Sequence, residues 1–150
     1  MIALLKQLFQ SQTQALSPQE QERQLNLAAA SMLLEVVYAD ETLSESEAEL
    51  LPQLLVSTLG ILASEAEQVL VEAKRAQRNA TSLYEFTAEI NRVYSIGQKQ
   101  QLLLAMWRLA YADGRLCQYE DQIIRRTADL LYLKHSELIR MRNLAKEQTD

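Results

Sequence analysis

Cysteine and histidine occur once each in this chain, proline twice and glycine three times. A single thiol excludes an internal disulfide and a thiolate zinc site. A single His excludes the His-Glu-x-x-His motif and the double Glu-x-x-His of di-iron bundles. Three glycines leave no glycine-rich phosphate loop. Long apolar runs are missing too. The longest uncharged stretch, Leu50–Ser64, is broken by Pro52 and Gly60 and falls short of the roughly 20 residues that span a bilayer. The opening residues, MIALLKQLFQSQTQ, have no charged region before the apolar ones and no small-residue cleavage site. No signal peptide is expected, and a cytoplasmic location is.

Positive charge is scarce in the front of the chain. Residues 1–61 carry 8 acids and 2 bases, residues 62–100 carry 5 of each, and residues 101–150 carry 7 acids and 8 bases. An acidic front half disfavours nucleic-acid binding, which needs a cationic footprint. It suits a divalent cation or a basic protein partner.

What is present is leucine and helix periodicity. Leu supplies 27 residues against 6 Val, and the turn clusters that would bound short strands are absent. The chain is long enough for one domain with a real core, and residues 1–150 read as a single all-α domain of seven to eight helices. A peripheral amphipathic helix is expected within residues 1–15. Caps then mark the starts of further helices: Ser17 with Glu20, Ser44 with Glu47, Ser64 with Glu67, Ser82 with Glu85, Ser95 with Gln98, Cys117, and Ser136. Pro52 should bend the third helix and Gly60 stop it. The helix over 97–112 holds Leu102 to Trp107, Leu109 and Ala110 with almost no polar face. A helix apolar all round is surrounded by other helices, so it is expected at the centre.

A shift of 73 places Tyr38-Ala39-Asp40 on Tyr111-Ala112-Asp113, Leu43 on Leu116 and Glu47 on Glu120. A one-residue deletion then aligns Ile61–Glu65 with Leu133–Glu137. The repeat unit covers about 25–78 and about 97–147, each a helix, a Tyr-Ala-Asp loop, a helix and a third capped helix. Two copies are too few for a solenoid and predict two pseudo-symmetric halves of one bundle.

Asp113-Gly114 and Glu120 have the spacing of the second half of an EF-hand loop. The first half fails, because Leu109 and Tyr111 stand at the first two ligand positions. Pooled from the two loops, Asp40, Glu47, Asp113 and Glu120 form a candidate site for calcium, magnesium, manganese or zinc. The alternative is capping: Asp closes a helix, and a Glu at the third helical position satisfies free N–H groups. Both readings remain open at this level. Among other candidates, His135 reads as a surface or capping residue and Cys117 as a half-buried cap. Trp107 and Tyr111 read as core packing, and Arg115, Arg125 and Arg126 as a solvated face. The amphipathic N-terminal segment fits docking on the bundle, a second subunit or a membrane surface.

The stretch Trp107-Arg108-Leu109-Ala110-Tyr111-Ala112-Asp113-Gly114-Arg115-Leu116, followed by Tyr119-Glu120, resembles the second signature of the TerB-like (tellurite-resistance) family. Leu83–Thr87 and Ile124–Leu133 with His135-Ser136 resemble segments of its small stand-alone members. The resemblance covers about residues 25–147 and implies a compact helical fold with duplicated halves. It also implies links to tellurite resistance, stress response and metal-linked complexes near the membrane. The family's proposed metal acids map onto Asp113 and Glu120, and onto Asp40 and Glu47. Glu41 stands where the family often has Gly. The related domain occurs in membrane-anchored J-domain co-chaperones, but this chain has no His-Pro-Asp triplet. The function expected is a non-catalytic interaction module. Alternatives are a metal-dependent hydrolase using the pooled carboxylates, or a structural homo-oligomer.

Overall fold

A computed structural model describes residues 17–40, 44–79, 82–114 and 116–149, without the side chains of Asp40 and Thr149. The expected N-terminal helix, Glu41, Leu43 and Arg115 lie outside the described residues. Among the described residues seven helices follow one another: α1 (Pro18–Val37), α2 (Glu45–Ser57), α3 (Ala63–Asn79), α4 (Tyr84–Val93), α5 (Ile96–Ala110), α6 (Gln118–Leu130) and α7 (His135–Thr149). One 3-10 turn, Tyr38–Asp40, follows α1. Among the described residues there is no strand.

The helix starts follow the caps in four cases. Ser17 Oγ accepts from the Glu20 N–H at 3.1 Å, with Pro18 at the first helical position. Ser44 and Glu47 form a reciprocal box, as do Ser95 and Gln98. The fourth is Cys117, whose N–H donates to Glu120 Oε1 at 3.3 Å. Three starts differ. α3 begins at Ala63, one residue ahead of the expected Ser64 cap. α4 has Leu83 at its N-cap with no side-chain bond, so Ser82 does not cap it. α7 begins at His135, and Glu137 Oε2 accepts the Lys134 N–H at 2.9 Å, so Ser136 lies inside the helix. In each case one or two alternative polar residues stood beside the true start, and spacing alone does not rank them. α2 continues through Pro52, which lacks the N–H for one helical bond.

The core has two central helices rather than one. α5 buries Leu102 to Trp107, Leu109 and Ala110, as its apolar circumference requires. α1 buries Ala28 to Leu34, Val36 and Val37, also nearly all round. The buried Ser31 hydroxyl donates to the Leu27 carbonyl at 2.8 Å, which lets a polar residue sit there. α1 packs on α2, α3, α4, α5 and α6; α5 packs on α1, α2, α6 and α7. Trp107 is fully buried and stacks on Tyr111, ring centroids 6.2 Å apart. Its indole N–H finds no acceptor among the described residues.

Two helix ends turn through the left-handed region. Gly60 follows α2 at φ 73° and Tyr132 follows α6 at φ 60°. These positions correspond once the one-residue deletion is applied. Glycine adopts this backbone freely, whereas a side chain with a Cβ meets steric resistance. Tyr132 is 81% exposed, so its ring recovers little by burial. Lys99 Nζ lies 6.0 Å from the ring centroid and donates to the Leu131 carbonyl at 3.0 Å. Replacing Tyr132 by Gly is expected to raise stability by about 0.5–1 kcal/mol. A higher urea midpoint with an unchanged slope checks this; a lower midpoint contradicts it.

Candidate functional site

The two Tyr-Ala-Asp segments end the two central helices. Tyr38 closes α1 with φ −87° and ψ 0°, and Tyr111 closes α5 with φ −95° and ψ 3°. After Tyr111 the Gly114 N–H donates to the Tyr111 carbonyl at 2.9 Å, and Gly114 takes φ 84°. That φ is why glycine stands there. The 3-10 turn packs on α6, and α2 packs on α5. The first loop therefore lies against the helix that follows the second, and Ala112 of the second loop shares a cleft with Ser46 and Glu49 of α2.

The carboxylates of the candidate metal set have different environments. Glu47 is 2% exposed; its Oε1 accepts the Ser44 N–H at 3.3 Å, and its own N–H donates to Ser44 Oγ at 3.1 Å. Glu120 is 3% exposed and accepts the Cys117 N–H. Both glutamates are held at helix N-termini, where free N–H groups and the helix dipole favour negative charge. Asp113 is exposed beside Gly114. Asp40 ends the 3-10 turn, and its side chain lies outside the described residues. Among the described residues no three of His, Cys, Asp and Glu stand together as a set of metal ligands.

The other candidates have plain surroundings. His135 is exposed in the first turn of α7. Cys117 is a half-buried free thiol at the N-cap of α6. Arg125 pairs with Asp121 at 3.0 Å one helical turn away, and Arg126 is exposed.

Three clefts open between the helices. One, about 290 Å³, lies between α2 and α5 and is lined by Ser46, Glu49, Arg108 and Ala112 among others. A second, about 530 Å³, lies between α1 and α3, where Arg23 pairs with Glu72. That pair holds the Glu72 carboxyl below the ordinary glutamate range. The third, about 230 Å³, is lined by Glu35, Tyr38, Gln77, Tyr119, Gln122 and Ile123, with Ala39 at its edge. Sequence reasoning missed Glu35. The signal was an acid set between Leu34 and Val36 in an otherwise apolar half-helix. Burial pushes the Glu35 carboxyl above its ordinary range, opposed by the Gln77 amide, whose Nε2 donates to Oε1 at 3.4 Å.

The class of protein is thus an all-helical bundle whose two central helices end in like acidic turns. Residues 26–143 match the family model described as Tellurite resistance protein TerB, and the chain belongs to that family. No curated protein and no solved structure matches the chain.

Glu47→Ala and Glu120→Ala should each lower stability by about 1–2 kcal/mol, while Cys117→Ser should raise it by a few tenths to about 1 kcal/mol. Urea unfolding measures both, and a neutral Glu120→Ala would show that its carboxylate does not cap. Glu35 gives a pH signature. Its folded pKa is raised above the unfolded value, so its favourable contribution is present below the unfolded value. It is lost as pH rises through the folded one. Glu35→Gln should therefore be at least as stable as the natural protein at pH near 7, with the difference closing below about pH 4. A gap that widens in acid contradicts the assignment.

Proposed function

We propose that the protein is a non-catalytic interaction module of a tellurite-resistance or stress-response system. The observation that carries this reading is the use made of the repeated glutamates. Glu47 and Glu120 are the two buried acids of the repeat, and both carboxylates accept backbone N–H groups at helix starts. A carboxylate committed to a cap is not free to act as a general base or to activate water. The single His is exposed at a helix start, and the single thiol sits at a cap. These chemistries support binding through surface and clefts. Family membership supplies the biological setting of the proposal. Among the described residues no helix is long and apolar enough to cross a membrane.

The capping reading makes a direct prediction for cations. Millimolar calcium, magnesium, manganese or zinc should leave the melting temperature unchanged, because ligands that bind only the folded state raise it. A saturable rise that Asp113→Asn abolishes would assign the loops to an ion instead. The module reading is tested by affinity capture from the native cell with the full chain as bait. A stoichiometric protein partner is expected. Absence of any partner, together with turnover of a phosphate or ester substrate, would overturn it.

A further inference from the structure

We propose that the cleft between α1 and α6 is a socket for a basic side chain, an arginine guanidinium presented by a partner protein. This deepens the interaction-module reading and rests on it for the identity of the ligand as part of a protein. Among the described residues, Glu35 is the one charged residue lining this cleft. It is half-buried, and its hydrogen-bond partner is the neutral amide of Gln77. No ion pair reaches it among the described residues. A carboxylate withdrawn from water without a counter-ion is unfavourable, and a cation brought in from outside relieves that.

The walls suit a guanidinium in particular. Tyr38 is 37% exposed and Tyr119 is 53% exposed, both large rings left partly open to solvent at the cleft. Aromatic faces attract cations, and a guanidinium is planar, weakly hydrated and able to stack while its fork meets a carboxylate. The Gln122 side chain at the rim adds an amide acceptor. The acidic front of the chain, 8 acids against 2 bases over residues 1–61, favours the approach of a basic partner.

The sister cleft sharpens the assignment. The 73-residue shift carries Glu35 to Arg108, Tyr119 to Ser46 and Gln122 to Glu49. Arg108, Ser46 and Glu49 all line the cleft between α2 and α5. That cleft therefore holds charges of both signs and no exposed tyrosine pair. Among the described residues, the Glu35 cleft holds one negative charge and two rings. Corresponding positions in the two copies have thus diverged toward a cation-accepting pocket in one place only.

The test is a nuclear magnetic resonance titration of the full-length chain with Nα-acetyl-arginine methylamide. The control is the citrulline analogue, a neutral near-isostere. Saturable shifts at the amides of Glu35, Tyr38, Tyr119 and Gln122 are expected in the millimolar range. The citrulline compound should bind about tenfold more weakly, as should the arginine compound to Glu35→Gln. Tyr119→Ala should weaken binding too. Glu35→Gln removes a desolvated charge, so its melting temperature should not fall, and lost binding cannot be blamed on lost fold. Equal response to both compounds, no saturable shift at the cleft, or unchanged binding to Glu35→Gln would overturn the socket. A captured partner whose affinity ignores Glu35→Gln would likewise overturn it while leaving the module reading standing.

Discussion

Two helices that are apolar on nearly every side must be surrounded, and the rest of the molecule is arranged to do that. Ala28 to Val37 of α1 and Leu102 to Ala110 of α5 present almost no face that water could wet. They pack on each other, and the remaining helices cover their outer sides. α3 and α7 give the most extensive cover, α3 along α1 and α7 along α5. Burial of this kind contributes about 25 cal/mol per Å² of apolar surface, which no surface ion pair in the chain approaches. The Arg23–Glu72 and Arg125–Asp121 pairs lie at the surface, partly open to solvent, and are secondary to it.

The same constraint sets where polar chemistry can lie. A central helix can turn only where its apolar run ends, and both runs end in Tyr-Ala-Asp. In the helix that follows each, the carboxylate at the third position is drawn in to cap the start. This explains how Glu47 and Glu120 come to be buried at 2% and 3% exposure in a protein with acids to spare. It also places two of the three clefts, those lined by Ala39 and by Ala112, beside the Tyr-Ala-Asp turns. Glu35 is a partly open position beside the first loop, because it lies on α1 one turn before it.

Much of this was legible in the sequence, for particular physical reasons. Leu102 to Ala110 announced a central helix because no polar stripe interrupts it. The Ser17, Ser44, Ser95 and Cys117 starts are readable from a Glu or Gln three residues on, but Ser64 and Ser82 carry the same spacing without capping a helix, so the signal is not sufficient by itself. The role of α1 as a second centre was less visible, since Ser31 and Glu35 break its pattern. Ser31 is satisfied by the Leu27 carbonyl, and Glu35 opens into a cleft, facts of tertiary contact that spacing does not carry. The starts at Ala63, Tyr84 and His135 do not follow their serines, because serine is only one of several residues that can open a helix. The four carboxylates read as one metal set share a repeat register, but register does not determine distance or accessibility. The TerB match accounts for the ordered signature around Trp107 to Glu120, and it was carried by residues with structural work to do.

The central claim is that α1 and α5 form one core that opens as a unit. Native-state hydrogen exchange under increasing urea tests it most directly. The amides of Leu33 and Leu34 in α1 and of Met106 and Trp107 in α5 should exchange only by global unfolding. They should do so at one common free energy, equal to that from equilibrium denaturation. If either helix exchanged at a distinctly lower free energy while the other stayed protected, the halves would be separate cooperative units. The account of a single surrounded pair would then be wrong.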